Sequence, residues 1–192
     1  MSKNLQFNLR KLHRKIAPIL FLPLLISALT GIAYRIGRSW FGLSDQFGDF
    51  MMIIHEGKYL GKPLAPVYVL LTGLGLAGML VTGIFMLKQR QNQSKSDKFS
   101  TRLLHRFLAP VFFLPLVVSA STGITYRLGK TWFGLSTEQA QLFLDIHQGN
   151  YLGSSWRGVY ILLVGLGLIF MLVTGMEMTG IFRNNLIKVQ AK

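Results

Sequence analysis

Four stretches of this chain carry almost no polar side chain: roughly 16–33, 64–87, 108–125 and 159–182. None has the polar stripe that a helix on the surface of a soluble protein would show. Each is close to the roughly 20 residues that cross a bilayer as helix, so the pattern predicts four membrane spans. The first run does not end in a small-residue cleavage site. It continues into Tyr34, Arg35, Arg38 and Trp40 as a helix leaving the bilayer, and is expected to stay in the protein. After it comes SDQFGDFMMIIHEGKYLG, with too few apolar residues to span and too many for a plain loop. A short outer helix is expected there, on the surface or over the bundle mouth, with its histidine above the second span.

The pattern occurs twice. Residues 10–86 align without a gap to 102–178, offset by 92 positions, with 43 of 77 identical. Each copy holds two spans, so both copies keep the same orientation and are related by a pseudo-twofold axis along the membrane normal. The expected fold is an all-α integral membrane protein, a four-helix transmembrane bundle of two parallel tandem hairpin repeats. Repeat 1 covers 1–87, a polar linker 88–100 (KQRQNQSKSDKFS from Lys88), and repeat 2 covers 101–192. Paired prolines, Pro18 with Pro23 and Pro110 with Pro115, should curve the first and third helices. Glycines crowd the second helices, at Gly73, Gly75, Gly78 and Gly83 and at Gly165, Gly167 and Gly175. They would let helices approach closely or make room for a flat macrocycle.

Composition agrees with a membrane protein: 51% of residues are hydrophobic and mean hydropathy is +0.41. Twenty-one Lys and Arg against seven acids would suggest nucleic acid in a soluble chain, but their distribution argues otherwise. Fourteen basic residues, from Lys3 and Arg10 through Lys88 and Arg106 to Arg183 and Lys192, fall on the side of the termini and linker with Asp97. By the positive-inside rule that side is cytoplasmic, and no nucleic-acid partner is expected. A bacterial inner, or other internal, membrane is the expected location. Trp40, Trp132, Tyr34, Tyr126, Tyr59 and Tyr151 gather near the outer boundary, as an interfacial belt would. Cysteine is absent, which removes disulfides, thiolate zinc, iron–sulfur clusters and covalently attached haem.

All four histidines occupy repeat-equivalent positions: His13 matches His105, and His55 matches His147. Within one repeat they are a whole span apart, about 30 Å, and cannot share one metal. Across the pseudo-twofold axis His13 should face His105 near the inner surface, and His55 should face His147 near the outer one. Opposed imidazoles at equal depth suit the two axial positions of a porphyrin iron, so two haem b groups are expected. A zinc or copper site, or no metal with interfacial histidines, are the alternatives. Zinc usually needs a third or fourth ligand, which neither end supplies in histidine or cysteine. Arg14 and Arg106 follow the inner histidines, and Arg35, Arg38, Arg127 and Lys130 lie on the outer side; they would pair with haem propionates or snorkel to the interface. Glu177, whose repeat partner is Phe85, is expected at the cytoplasmic interface rather than on an intramembrane proton path. The methionines read as packing residues.

An HR pair opening one helix, LTG or STG near its end (29–31, 121–123), an HxGxxLG segment and a closing VTG recur in order in both copies. Each repeat thereby resembles the PepSY-associated transmembrane family, over about four fifths of the chain. That family includes haem-binding inner-membrane reductases, some acting on ferric siderophores, and the resemblance implies His13, His55, His105 and His147 as haem ligands. Ala17 and Ala109 stand where family members often carry glycine, and no PepSY segment is found in these residues. Outer loops this short leave no evident siderophore pocket. The expected function is that of a dihaem b-type cytochrome passing electrons across the membrane, from an unidentified donor to an unidentified acceptor. The alternatives are a non-catalytic scaffold or assembly factor of a larger membrane complex, and a ferric-chelate or metal reductase.

Overall fold

The computed structural model describes residues 3–88 and 100–180, with side chains over 7–87 and 100–180. Among these residues are six α-helices and no strand. Helix α1 spans Lys3–Ser39, α2 Asp45–His55, α3 Leu64–Lys88, α4 Thr101–Thr131, α5 Thr137–Gln148 and α6 Ser154–Thr179. The four long helices are each apolar and long enough to cross a membrane, and the chain is an all-α membrane bundle. Their outward faces carry large apolar side chains such as Ile19, Leu22, Leu71, Phe107, Leu114 and Leu163, all more than half exposed, as a lipid-facing surface requires.

The first and third helices are longer than their apolar runs. Polar residues at both ends of 16–33 continue the helix because no breaker interrupts them, and 37 residues of α1 reach about 55 Å, well beyond a hydrocarbon core of roughly 30 Å. Pro18, Pro23, Pro110 and Pro115 sit inside continuous helix. The fourth span begins earlier than its apolar run, at Ser154, and its described part ends at Thr179, capped by Gly180 in the left-handed region. Most of the linker and residues 181–192, with Arg90, Lys95, Asp97, Lys98, Arg183, Lys188 and Lys192, lie outside the described residues. The expected short outer helices are α2 and α5, started by Ser44 and Ser136; Ser136 forms a full capping box with Gln139.

The long helices form a ring in which α1 packs on α3 and α6, and α4 packs on the same two. Among the described residues α1 does not contact α4, nor α3 contact α6, so each pair lies across a diagonal. Glycines set the inter-repeat spacing. A Cβ at Gly73 would stand 2.5 Å from Ile124, and one at Gly165 would stand 2.6 Å from Ile32, so α3 meets α4 and α6 meets α1 through these positions. Close approach is thus what these glycines provide, while the α1–α4 diagonal stays open.

Candidate functional site

The open diagonal is where the histidines gather. His13 lies on α1 and His105 on α4, at repeat-equivalent positions. His55 closes α2 and His147 lies at the end of α5. Their ring centroids are 6.4 Å apart, with the planes at 63°.

One expectation is corrected here. His55 does not sit above the second span; it turns back against α1, its Nδ1 2.8 Å from the carbonyl oxygen of Ser27. His147 does the same on α4, 2.9 Å from the carbonyl oxygen of Ser119. The glycines of the LTG and STG motifs make this possible: a Cβ at Gly31 or Gly123 would press to 3.2 or 3.1 Å from the imidazole Cε1. Gly57 and Gly149, two residues beyond each histidine, take φ of 66° and 68°. This left-handed turn suits glycine and brings the chain under Tyr68 and Tyr160. Because His55 meets α1 at Ser27–Gly31, it lies 14 to 18 residues along the helix from His13. At 1.5 Å per residue that is roughly 21–27 Å, less than the whole span expected from the sequence.

The proton positions follow from the acceptors. A carbonyl oxygen only accepts, so Nδ1 of His55 and of His147 carries the hydrogen. At the inner pair Nδ1 of His13 is 2.7 Å from Thr82 Oγ1, and Nδ1 of His105 is 2.7 Å from Thr174 Oγ1. Both threonine hydroxyls donate to the carbonyl four residues earlier, that of Gly78 and that of Phe170, each at 2.8 Å. Each therefore accepts from its histidine. All four imidazoles are fixed as the Nδ1–H tautomer with the Nε2 lone pair free, the arrangement in which a histidine ligates metal through one nitrogen while a partner holds the other. Burial pushes His147 down to about 4, helped by the neighbouring His55 ring and opposed by the Ser119 carbonyl. His55 is lowered too, chiefly by burial. Both outer rings are neutral at neutral pH.

Around the outer pair lies a cavity between the helices, about 1280 Å³ including its mouth. Its wall is largely apolar, with Leu24, Leu76, Leu116 and Leu168 inside and Arg35 and Arg127 among the polar lining. Neither inner histidine lines it. Among the described residues no three His, Cys, Asp or Glu side chains cluster as a metal site, so neither imidazole pair has a third such side chain beside it.

The charged residues divide by position. Arg14 is exposed, its guanidinium 3.4 Å from the Thr179 carbonyl near the end of α6, while Arg106 is half-buried beside His105. Glu177 is exposed two residues before α6 ends. On the opposite face Arg127 pairs with Glu56 at 2.7 Å, and Lys58 joins the same carboxylate at 3.1 Å. Arg35 is bonded to the side-chain oxygen of Gln148, and Arg38 pairs with Asp45 and reaches the Leu43 carbonyl.

Sequence reasoning set His55 opposite His147, whose rings are seen together, but missed Ser27, Ser119, Thr82 and Thr174 as the acceptors of the four histidines. Thr82 and Thr174 left a signal, standing 69 residues after His13 and His105 within a VTG motif kept in both copies. The sequence model of the family described as PepSY-associated TM region matches residues 35–142, just over half of the chain rather than four fifths. The matched stretch contains His55 and His105; the internal repeat makes His13 and His147 their counterparts. No curated protein and no solved structure matches the chain.

Proposed function

The chain belongs to the PepSY-associated TM region family, and from that premise and its two imidazole pairs we propose that it is a dihaem b-type cytochrome, carrying electrons across a bacterial membrane between a donor and an acceptor. The observation that carries this reading is the tautomer accounting: four Nδ1–H groups are spent on Ser27, Ser119, Thr82 and Thr174, leaving four Nε2 lone pairs, two at each level. His55 and His147 would hold one iron, and His13 and His105 the other. The outer spacing suits this. With ring centroids 6.4 Å apart, His55 and His147 would leave room for one metal ion between them. A pair of histidines also fills only two coordination positions, which leaves the rest to a macrocycle and argues against a structural zinc.

Haem, when bound, supplies a one-electron couple that histidine chemistry alone lacks. The residues of the chain orient both imidazoles, keep them neutral and surround the outer site with hydrocarbon side chains. Arg35 and Arg127 stand at the outer cavity, while Arg14 and Arg106 adjoin the inner histidines, where cations would favour propionates. An iron held by two of these histidines would suit electron carriage rather than oxygen chemistry. The basic end of the bundle, with Arg10, Lys11, Arg14, Lys15, Arg102 and Arg106, supports cytoplasmic termini and an inner-membrane location. A scaffold would need an uncovered packing face, whereas Gly73, Gly75, Gly165 and Gly167 all meet helices of the same chain.

A reduced-minus-oxidised difference spectrum of the purified full chain tests the proposal. Split visible bands of low-spin haem, with two haems per chain by pyridine haemochrome, are the expected result. A featureless visible region after expression with ample haem contradicts it.

A further inference from the structure

The two outer niches related by the pseudo-twofold axis are not equivalent. In one, Arg127 has a carboxylate of the chain beside it, Glu56, which Lys58 also grips. In the other, the position matching Glu56 is Gln148, so Arg35 meets a neutral amide oxygen. Arg35 is nevertheless 94% buried, at 6% exposure; its Nε has no hydrogen-bond partner, as is also true of Arg127, so the two niches differ in the carboxylate and not in the Nε. A second change works in the same direction: Ala65 in the first niche is answered by Arg157 in the second, whose Nε is likewise buried without a partner.

These residues line a recess of about 900 Å³ including its mouth, formed by Tyr34, Arg35, Arg38, Ser39, Gln148, Ser154 and Arg157. Three guanidinium groups face one space whose lining contains no carboxylate. The nearest one known to touch it is Asp45, on Arg38, with a side chain 85% exposed. Helix α6 begins at Ser154 without a side-chain cap, so its first turn adds unspent N–H groups and the positive end of its dipole. Tyr34, Arg35 and Gln148 also line the cavity of the outer histidines, so the two spaces adjoin across these residues. The short outer loops therefore leave a recess after all, of a size and charge for a small anion.

We propose that the recess of Arg35, Arg38 and Arg157 binds a carboxylate or oxyanion group, filling from outside the place that Glu56 fills internally in the other niche. Buried arginine without a counter-charge is costly, and planar guanidinium groups match carboxylate and phosphate in fork geometry. The group belongs either to a free small anion entering from the face opposite the termini or to the carboxylate edge of a macrocycle held between His55 and His147. The first source needs no haem and is tested apart from the cytochrome reading; the second rests on that reading.

The experiment uses the full chain in phosphatidylcholine nanodiscs, titrated calorimetrically with inorganic phosphate and with succinate at constant ionic strength. If a free anion is the occupant, the native chain binds one of the probes at a single site. Gln148→Glu, which copies the Glu56 arrangement, and Arg157→Ala, which copies Ala65, each weaken that binding at least tenfold with the helix content by circular dichroism unchanged. If the macrocycle edge is the occupant, neither probe binds and both variants lower the haem retained per chain at the outer pair. The proposal is overturned if both variants leave probe binding and haem retention as in the native chain. Should Gln148→Glu fail to fold, Arg157→Ala, at a half-buried helix position, decides alone.

Discussion

At the outer histidine pair a backbone carbonyl holds each imidazole, while at the inner pair a threonine hydroxyl does so. The outer rings come from short helices and press against glycine in α1 and α4, with a Cβ allowance of 3.2 and 3.1 Å. The inner rings stand on the long helices themselves, with Gly83 and Gly175 leaving 3.7 and 3.6 Å, ordinary contact. The two seats therefore depend on different parts of the sequence. An outer imidazole is oriented by main chain that side-chain substitution cannot remove, but it is sensitive to volume. An inner imidazole has room, but its orientation rests on one side-chain oxygen.

The largest effect should come from the ligands. Alanine at His13, His105, His55 or His147 is expected to remove one whole haem, reducing the pyridine haemochrome yield from two per chain to one. A yield that falls by less in any of the four would break the equivalence of the pairs. Next come Thr82→Val and Thr174→Val, which strip the acceptor from an inner Nδ1–H while keeping shape. Loss of such an outer-shell partner typically costs about 10–100-fold in metal affinity. Haem retention during dilution should fall by that order at the inner pair only. Gly31→Ala and Gly123→Ala add a methyl where the imidazole must give way, at a cost of about 1 kcal/mol, the low end of overpacking and roughly fivefold in retention. Gly83→Ala and Gly175→Ala should be silent, and an equal loss at all four glycines would contradict the distinction between the seats. The smallest effect belongs to Ser27→Ala. Its hydroxyl is 3.4 Å from the His55 Nδ1 whereas its carbonyl is at 2.8 Å, so spectrum and retention should change little.

These contrasts also show what could be read from sequence. Four spans, two short outer helices and the pairing of histidines across repeats were legible because apolar runs, a gapless duplication and matched histidines leave marks in residue identity. Helix ends were less legible: α1 runs through Arg10 and Lys11 to Lys3, since a polar residue shows where lipid ends and not where helix ends. The turn of His55 back onto Ser27 was hidden, because its partner is a main-chain oxygen and any residue there would supply one. Arg35 and Arg127 are the same residue at equivalent positions. Only their surroundings differ, through Gln148 against Glu56 and Arg157 against Ala65, and that difference acquires meaning once α5 and the start of α6 are seen beside α1.

Haem content of two double variants tests the pairing most directly. His13→Ala combined with His105→Ala removes both ligands of one proposed site and should leave one haem per chain. His13→Ala combined with His55→Ala removes one ligand from each site and should leave none. One haem retained in the second double variant, or none in the first, would contradict ligation across the two repeats.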